Sequence, residues 1–178
     1  MSRIVSQLLD IAELDTSELD PYELADLRAV CVEVVAAIAP YALAQDKEIA
    51  LKGTEGPVVV RGNTGMLQRA IFNLAENAIK YTAPNTAVDV DVSSDGAVQV
   101  RDCGPGINPS ERALIFQRFW RGDHRHTDGA GLGLSIVREV VEDHAGTITV
   151  ENGPKGGAHF TLHFRLADHE TEMKFAAG

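Results

Sequence analysis

Three glycines within five residues stand directly before an apolar stretch that has the spacing of a helix: Gly129, Gly131 and Gly133. Free backbone N–H groups and the helix dipole favour an anion at the first turn of a helix, so bare backbone here suits a phosphate. A flexible hinge is the competing interpretation, and the two can coexist. The spacing matches neither Gly-x-x-x-x-Gly-Lys-Ser/Thr nor Gly-x-Gly-x-x-Gly after a strand, which excludes the two commonest nucleotide-binding loops.

A narrow polar strip runs along the strongest predicted helix, NTGMLQRAIFNLAENAIKYTA, which is apolar over most of its circumference. Asn73 and Asn77 are four residues apart on this strip, and Lys80 follows one turn later. An amide oxygen can complete the octahedral shell of Mg²⁺ where phosphates supply the negative charge, so this set suits a magnesium–phosphate ligand. From this helix alone, a thin solvated strip is the better interpretation.

A carboxylate ends the predicted strand AVQVR and is followed by two glycines. Val98, Val100 and Asp102 alternate, so Asp102 points to the same face as two core valines if the strand continues. A buried, unpaired carboxylate costs on the order of several kcal/mol unless a group donates hydrogen bonds to it, and the exocyclic amino group of adenine would do so. Gly104 and Gly106 leave room for a flat ligand. The alternative is an aspartate that caps its own turn.

The overall charge of −10 argues against nucleic acid or an anionic membrane as the general partner. An anionic ligand therefore needs a local positive region, and four arginines between the two glycine stretches supply one: Arg112, Arg118, Arg121 and Arg125. The two cysteines lack metal-type spacing and indicate a reducing compartment, with Cys103 expected to be packed. His124 and His126 are two residues apart in a loop, which is more typical of solvated surface than of a metal site.

Periodicity and turn signals predict the elements that position these residues. An apolar stripe at helical spacing marks residues 2–14, and a linker follows. The other predictions are helices at about 26–44, 63–83 and 132–144, strands at EIAL and PVVVRG, a β-hairpin at AVDVDVSSDGAVQVRD and a closing pair at GTITVEN and GAHFTLHF. The longest apolar stretch, 29–44, is too interrupted to span a bilayer.

Taken in this order, four stretches resemble the boxes of the ATP-binding catalytic domain of sensor histidine kinases, in the wider gyrase, heat-shock chaperone and MutL ATPase superfamily. NLAENAIKYT is similar to the N box, DCGPGI to the first glycine box, IFQRFWRG to the F box and GAGLGLSIV to the second glycine box. The resemblance extends to the final hairpin. The first fifteen residues look like the end of the family's dimerisation helix hairpin.

The resemblance implies an α/β fold, a two-layer sandwich of the Bergerat type whose mixed β-sheet carries helices on one face. ATP would bind outside the sheet under a mobile lid formed by residues 108–128. The expected divisions are residues 1–20 as the end of the dimerisation helix and linker, 21–166 as the catalytic domain and 167–178 as a C-terminal tail.

The family's roles transfer to the matching residues. Asn77 would ligate Mg²⁺ and Asn73 would support the phosphate side. Lys80 would meet phosphate, Tyr81 would flank the ribose or base, and Asp102 would receive the adenine amino group. The other ATP-binding residues implied by the resemblance are Gly104, Gly106, Ile107, Arg118, Gly129, Gly131, Leu132, Gly133 and Leu134.

The sequence departs from the family pattern at two places. Ala158 stands where relatives often carry Ser or Thr, whose hydroxyl helps to hold a water at adenine. The phosphoacceptor box, in which His-Glu is followed by a basic residue and Thr-Pro or Ser-Pro, is absent, and His169-Glu170 does not match it. We therefore expect a fragment of a longer kinase that contains no phosphoacceptor histidine of its own.

The expected activity is transfer of the ATP γ-phosphate to a histidine on a helix hairpin outside this chain. The expected partners are that hairpin, on the same chain or a dimer mate, and a response regulator receiver domain. The full-length protein would be a membrane-anchored homodimer and this fragment cytoplasmic. The alternatives are a stand-alone anti-sigma-type serine kinase and a degenerate nucleotide sensor.

Overall fold

The computed structural model describes residues 23–122, 130–154 and 156–168. The predicted dimerisation-helix remnant at 1–20, Gly129 and the histidines at 124, 126 and 169 lie outside these residues. The helices and strands of the described part follow in this order: β1 (Leu24–Asp26), α1 (Leu27–Leu43), β2 (Glu48–Gly53), β3 (Val59–Arg61), α2 (Thr64–Tyr81), β4 (Ala87–Val92), β5 (Ala97–Arg101), α3 (Gly133–Asp143), β6 (Thr147–Asn152) and β7 (Ala158–His163).

Five of the strands form one mixed sheet in the order β2-β4-β5-β7-β6, and β1 pairs with β3 in a separate small sheet. The β2–β4 pair is parallel, whereas β4–β5, β5–β7 and β6–β7 are antiparallel. A parallel pair requires a crossover connection, and the segment that carries β3 and α2 provides it. The predicted hairpin at β4–β5 and the predicted closing pair β6–β7 are both confirmed.

One face of the large sheet is buried beneath the helices. Val88, Val90 and Val92 are fully buried, and the intervening Asp89 and Asp91 lie on the opposite, half-exposed face. The helices pack against one another, with α2 between α1 and α3. The predicted two-layer α/β sandwich with helices on one face is therefore confirmed.

The N-terminus of α2 is fixed by a side-chain cap. Asn63 is the N-cap residue, and its Oδ1 accepts a hydrogen bond from the backbone N–H of Met66 at 2.8 Å. The backbone N–H of Asn63 in turn donates to Nε2 of His144 at 3.1 Å. Because His144 directly follows α3, this contact ties the start of α2 to the end of α3.

Two features differ from the sequence prediction. Residues 24–26, predicted as part of a linker, form β1, because their backbone pairs with β3 in the register Ala25 to Val60. The first two residues of the predicted tail pack on the domain: Ala167 is buried and donates to the carbonyl of Val59 at 2.9 Å, and Asp168 lies 2.8 Å from Arg61. No helix in the described residues is both long and apolar enough to cross a membrane.

Candidate functional site

A pocket opens between the C-terminal half of α2, the loop after β5, the segment 108–122, the first turn of α3, and β7. Its lining is mostly apolar, with a few polar side chains, as is usual for a small-molecule site. The residues that line it are Asn77, Ala78, Tyr81, Asp102, Pro105, Gly106, Ile107, Glu111, Ile115, Trp120, Gly122, Leu134, Ala158 and Phe160. These residues come from four separate stretches of the sequence, because the loop after β5 and the segment 108–122 are continuous.

Asp102 is the buried carboxylate of this pocket, with 8% of the residue exposed. Its Oδ1 accepts two backbone hydrogen bonds, from Gly104 at 2.8 Å and from Ala158 at 3.0 Å. Oδ2 takes neither bond. The aspartate therefore caps its own turn and also lies in the pocket wall, where Oδ2 is used by neither of these two backbone donors.

Burial raises the pKa of the Asp102 carboxyl above its usual range. The N–H groups of Ala158 and Gly104 and the nearby His159 act in the opposite direction, because each stabilises the ionised form. A donor that reached Oδ2 would stabilise the carboxylate in the same way. Ala158 lacks a side-chain hydroxyl, but its backbone is one of the two groups that hold Asp102.

The glycines after Asp102 are required by protein contacts. A Cβ on Gly104 would lie 2.7 Å from the carbonyl oxygen of Tyr81, closer than real Cβ atoms approach. Gly106 has φ of +77°, and a Cβ there would lie 2.9 Å from Oδ1 of Asn152. At Gly104, glycine is therefore required because this loop packs against the end of α2. The sequence had suggested a different reason, room for a flat ligand. Gly106 lines the pocket itself.

The two amides of α2 lie beside the first turn of α3. Asn77 lines the pocket, and Asn73 is half-buried, with its Nδ2 donating to the Arg69 carbonyl at 3.0 Å. A Cβ on Gly133, the first residue of α3, would lie 3.4 Å from Oδ1 of Asn73 and 3.5 Å from Nδ2 of Asn77. The structure thus brings together the polar strip and the glycine stretch that the sequence analysis treated separately.

The N-terminus of α3 keeps the character expected of an anion site. The N-cap residue is Leu132, whose apolar side chain is buried in the core and offers no acceptor to the first-turn N–H groups. Ser135 donates from Oγ back to the Leu132 carbonyl at 2.8 Å. The backbone donors of this first turn are therefore not consumed by a side-chain cap.

Lys80 lies within an ion pair. Its Nζ lies 2.8 Å from Oε2 of Glu76, one turn earlier on α2, and both side chains are only 13% exposed. Lys80 is not one of the described residues that line the pocket. Its neighbour Tyr81 does line the pocket and is 44% exposed.

The described part of the predicted lid is anchored to the sheet by aromatic packing. Phe116 meets Phe160 of β7 edge-on, with ring centroids 6.4 Å apart, and Ile115 is buried. Trp120 lines the pocket. Phe119, 66% exposed with φ of +65°, donates from its backbone N–H to the Gly131 carbonyl at 2.9 Å.

Arg118 is not among the described residues that line the pocket, and its contact with ATP stays a prediction. Its Nη2 lies 3.0 and 3.1 Å from the two carboxylate oxygens of Glu139 on α3. In this structure the guanidinium is paired with an acid on α3. The expectation that Cys103 is packed is wrong, because this residue is exposed; Cys31 is buried, which raises the pKa of its thiol to about 12.

Several residues at the site were not assigned to it by sequence reasoning, and three of them carry polar or aromatic groups. Glu111 and Trp120 line the pocket, and Asn152 hydrogen-bonds to one of its walls. Asn152 gave no local signal, because its partner Ile107 is 45 residues away in the sequence.

A magnesium ion fits the donors at this site only if a bound small molecule supplies negative charge. Asn77, whose side chain carries an amide oxygen, lines the pocket, and the described residues contain no group of three His, Cys, Asp or Glu side chains that could hold a metal by themselves. Mg²⁺ commonly takes one or two protein ligands and completes its shell with phosphates and water. The residues therefore suit a metal that arrives with a polyphosphate.

A family model described as "Histidine kinase-, DNA gyrase B-, and HSP90-like ATPase" matches residues 62–168. The signal transduction histidine-protein kinase/phosphatase MprB of Mycolicibacterium vanbaalenii is 43% identical over 106 residues, which are 57% of this chain and 22% of that protein. The chain thus spans about a fifth of the length of this curated relative.

Two solved structures share the fold. That of the mycobacterial sensor histidine kinase MprB has a TM-score of 0.73 and 31% identity, covering 81% of this chain and 98% of that one. Full-length ShkA in complex with AMPPNP has a TM-score of 0.73 and 29% identity, covering 92% of this chain and 35% of that one.

Proposed function

This chain belongs to the histidine kinase-, DNA gyrase B- and HSP90-like ATPase family as an ATP-binding catalytic domain of the sensor histidine kinase kind, and we propose that it transfers the γ-phosphate of ATP to a histidine on a helix hairpin outside the chain. The observation that carries this proposal is the pairing of two features in one pocket. Asp102 lies in one wall, and Asn77 and the uncapped first turn of α3 lie in another.

The adenine ring would enter between the loop after β5 and the end of α2. Its exocyclic amino group would donate to Oδ2 of Asp102, the carboxylate oxygen that neither backbone donor occupies. Tyr81 and Trp120 offer aromatic surface at the pocket. This support is specific to adenine, because guanine presents a carbonyl oxygen at the same position.

The triphosphate would lie along the first turn of α3. Backbone N–H groups at Gly133 and Leu134 would donate to phosphate oxygens, and the helix dipole favours the negative charge. Asn77 would ligate Mg²⁺ and Asn73 would support the same side. When bound, the metal neutralises charge on the phosphates. We also propose that Lys80, Gly129 and Gly131 contact the phosphates. Lys80 would leave its ion pair with Glu76 to do so.

The reaction itself requires an acceptor that this chain does not supply. A ring nitrogen of the acceptor histidine attacks the γ-phosphorus, the bond to the β–γ bridging oxygen breaks, and ADP leaves. Of the described histidines, His144 is buried with both ring nitrogens engaged, by the Val140 carbonyl and the Asn63 N–H. His159 and His163 lie on β7.

The wider assignments follow from the same proposal. We propose that the full-length protein is a homodimer anchored in the cell membrane, that this domain works in the cytoplasm, and that the phosphoryl group passes on to a response regulator receiver domain. These rest on what sensor histidine kinases are in general, since this chain corresponds to a fraction of such a protein.

A transfer assay tests the proposal. The chain is incubated with radiolabelled MgATP, alone and with a purified helix hairpin bearing an acceptor histidine. We expect no label on the chain alone and slow, concentration-dependent, acid-labile label on the hairpin, absent with the Asn77→Ala variant. Acid-labile label on the chain alone would contradict the missing acceptor. Acid-stable label would favour the serine kinase, and binding without any transfer would favour the nucleotide sensor.

A further inference from the structure

The loop between Asp102 and Asn108 forms one wall of the pocket without regular secondary structure. Its first half is held from within and from α2. The N–H of Cys103 donates to Oγ1 of Thr82 at 2.9 Å, and the N–H of Gly104 donates to Asp102. These two bonds stop at Gly104, so the pocket-lining residues Gly106 and Ile107 depend on another support.

That support comes from a single side chain at the end of β6. The backbone N–H of Ile107 donates to Oδ1 of Asn152 at 2.9 Å, and Nδ2 of Asn152 donates to the Ile107 carbonyl at 2.9 Å. The primary amide thus satisfies both backbone groups of one residue, as a neighbouring strand would do. No other common uncharged side chain of this length presents a donor and an acceptor with that separation.

The same amide is in close contact with Gly106. A Cβ built on Gly106 would lie 2.9 Å from Oδ1 and 3.0 Å from Cγ of Asn152. The position of the amide is therefore tightly coupled to the backbone of the wall on both Gly106 and Ile107. Asn152 itself lies behind this wall and is not one of the described residues that line the pocket.

We propose that Asn152 is a positioning residue for the nucleotide site: it holds the Gly106–Ile107 wall in the conformation that receives the base. This rests on the proposed function, because it concerns the affinity of the same pocket for ATP. Asn152 contacts no substrate in this account. It acts by removing, before binding, the conformational freedom that the wall would otherwise lose when a ligand arrives.

Its surroundings separate this role from a role in global stability. Asn152 is exposed, and so are its two hydrogen bonds. Truncation to alanine therefore leaves no internal cavity, and exposed hydrogen bonds add little to the free energy of unfolding. The substitution should instead make the loop less ordered, because the loop has no strand pairing or helix that would restore its conformation.

The test compares Asn152→Ala with Glu151→Ala, which changes the neighbouring exposed residue of β6 and leaves both bonds to Ile107 in place. Binding of MgATP and MgADP is followed by calorimetry and by the fluorescence of Trp120, the single tryptophan of the chain, which lines the pocket. We expect Asn152→Ala to bind both nucleotides roughly 5- to 30-fold more weakly, by the same factor for each. We expect Glu151→Ala to match the wild type, and Tm to change by no more than about 3 °C.

Two further measurements distinguish positioning from a structural effect. Amide hydrogen exchange in Asn152→Ala without nucleotide should be faster at Gly106 and Ile107 and unchanged at Cys103 and Gly104, in α2 and in β5. In a double-mutant cycle, Gly106→Ala should cost less affinity in the Asn152→Ala background, because the crowded amide is gone.

The outcomes separate this inference from the proposed function. If the wild type binds no ATP, the proposed function fails and the inference falls with it. If the wild type binds and Asn152→Ala binds equally well, only the positioning role is overturned. Faster exchange throughout the sheet, or a large fall in Tm with unchanged affinity, overturns it too, because either result marks Asn152 as structural.

Discussion

Asp102 illustrates how one residue serves the fold and the site together. One carboxylate oxygen holds the backbone of Gly104 and Ala158, and the other oxygen is left at the pocket. The alternation of Val98, Val100 and Asp102 in the sequence predicted the direction of this side chain. The partner on β7 lies 56 residues away and could not be read from the sequence.

We expect Asp102 to select adenine over guanine. Guanine would place a carbonyl oxygen against Oδ2 with no proton between them, so the buried acceptor would remain unpaired. GTP should bind at least about 2 kcal/mol, or roughly 30-fold, more weakly than ATP. Competition binding measures this preference, and the Asp102→Asn variant, whose Oδ1 can still accept from both backbone donors, should lose it. Equal affinities for ATP and GTP would remove Asp102 from the role.

Asn77→Ala should weaken magnesium-dependent nucleotide binding far more than it weakens folding. The amide lies in the pocket, while the buried apolar face of α2 is untouched by the change. Titration calorimetry with and without Mg²⁺ measures the first effect and thermal unfolding the second. Gln68→Ala is the matched control, since Gln68 is on the same helix and hydrogen-bonds to Glu33 on α1. A fall in Tm that accounts for the lost affinity would make Asn77 structural.

At the scale of elements, the site depends on how α2 and α3 meet. Their ends are joined by His144, whose Nδ1 bonds to the Val140 carbonyl at 2.6 Å while Nε2 accepts from the Asn63 N–H. This network assigns the neutral ring with its proton on Nδ1. Burial lowers the pKa of His144, and the hydrogen bond to the Val140 carbonyl and the carboxylates of Asp143 and Glu23 offset this in part.

This contact should make stability depend on pH. The pKa of His144 in the folded chain lies below its ordinary value of 6.5, so the full stabilisation is present above that value. As the pH falls below 6.5, this histidine binds a proton in the unfolded chain but not in the folded chain. The free energy of unfolding should then drop by up to about 1.4 kcal/mol per pH unit until the folded pKa is reached.

Denaturant titrations between pH 7.5 and 5 measure this dependence. The His144→Gln variant should be less stable than the wild type at neutral pH. Its free energy of unfolding should lack the part of the decline that His144 causes. His163→Gln, at an exposed position on β7, should keep it. A His144→Gln curve parallel to that of the wild type would contradict the assignment.

Gly133→Ala should separate folding from binding. The added methyl would make ordinary contacts, 3.4 Å from Asn73 and 3.5 Å from Asn77, and alanine favours a helix over glycine. We therefore expect Tm to stay within about 3 °C of the wild type or to rise slightly. MgATP affinity should fall by about tenfold or more, because the methyl fills the space between the amides and the first-turn N–H groups, where we place phosphate. Unchanged affinity would move the phosphates elsewhere.

For the whole molecule, local signals in the sequence predicted the three helices, the β4–β5 hairpin and the closing pair, because caps, turns and periodicity are local. The short strand β1 escaped prediction, since its pairing with β3 joins residues that are distant in the sequence. The same limit applies to the contacts that hold or divert site residues. Asn152 at the end of β6 bonds to Ile107, and Glu139 on α3 pairs with Arg118.

A calorimetric titration of the chain with ATP, in the presence of Mg²⁺ and again in excess EDTA, tests the assignment of this pocket to MgATP, with GTP as the matched ligand. We expect saturable binding of one ATP per chain, weakened when Mg²⁺ is removed, with GTP bound at least roughly 30-fold more weakly. No measurable binding of MgATP by the folded chain would contradict it, because Asp102, Asn77 and the first turn of α3 would then form a pocket without the ligand for which they are assigned.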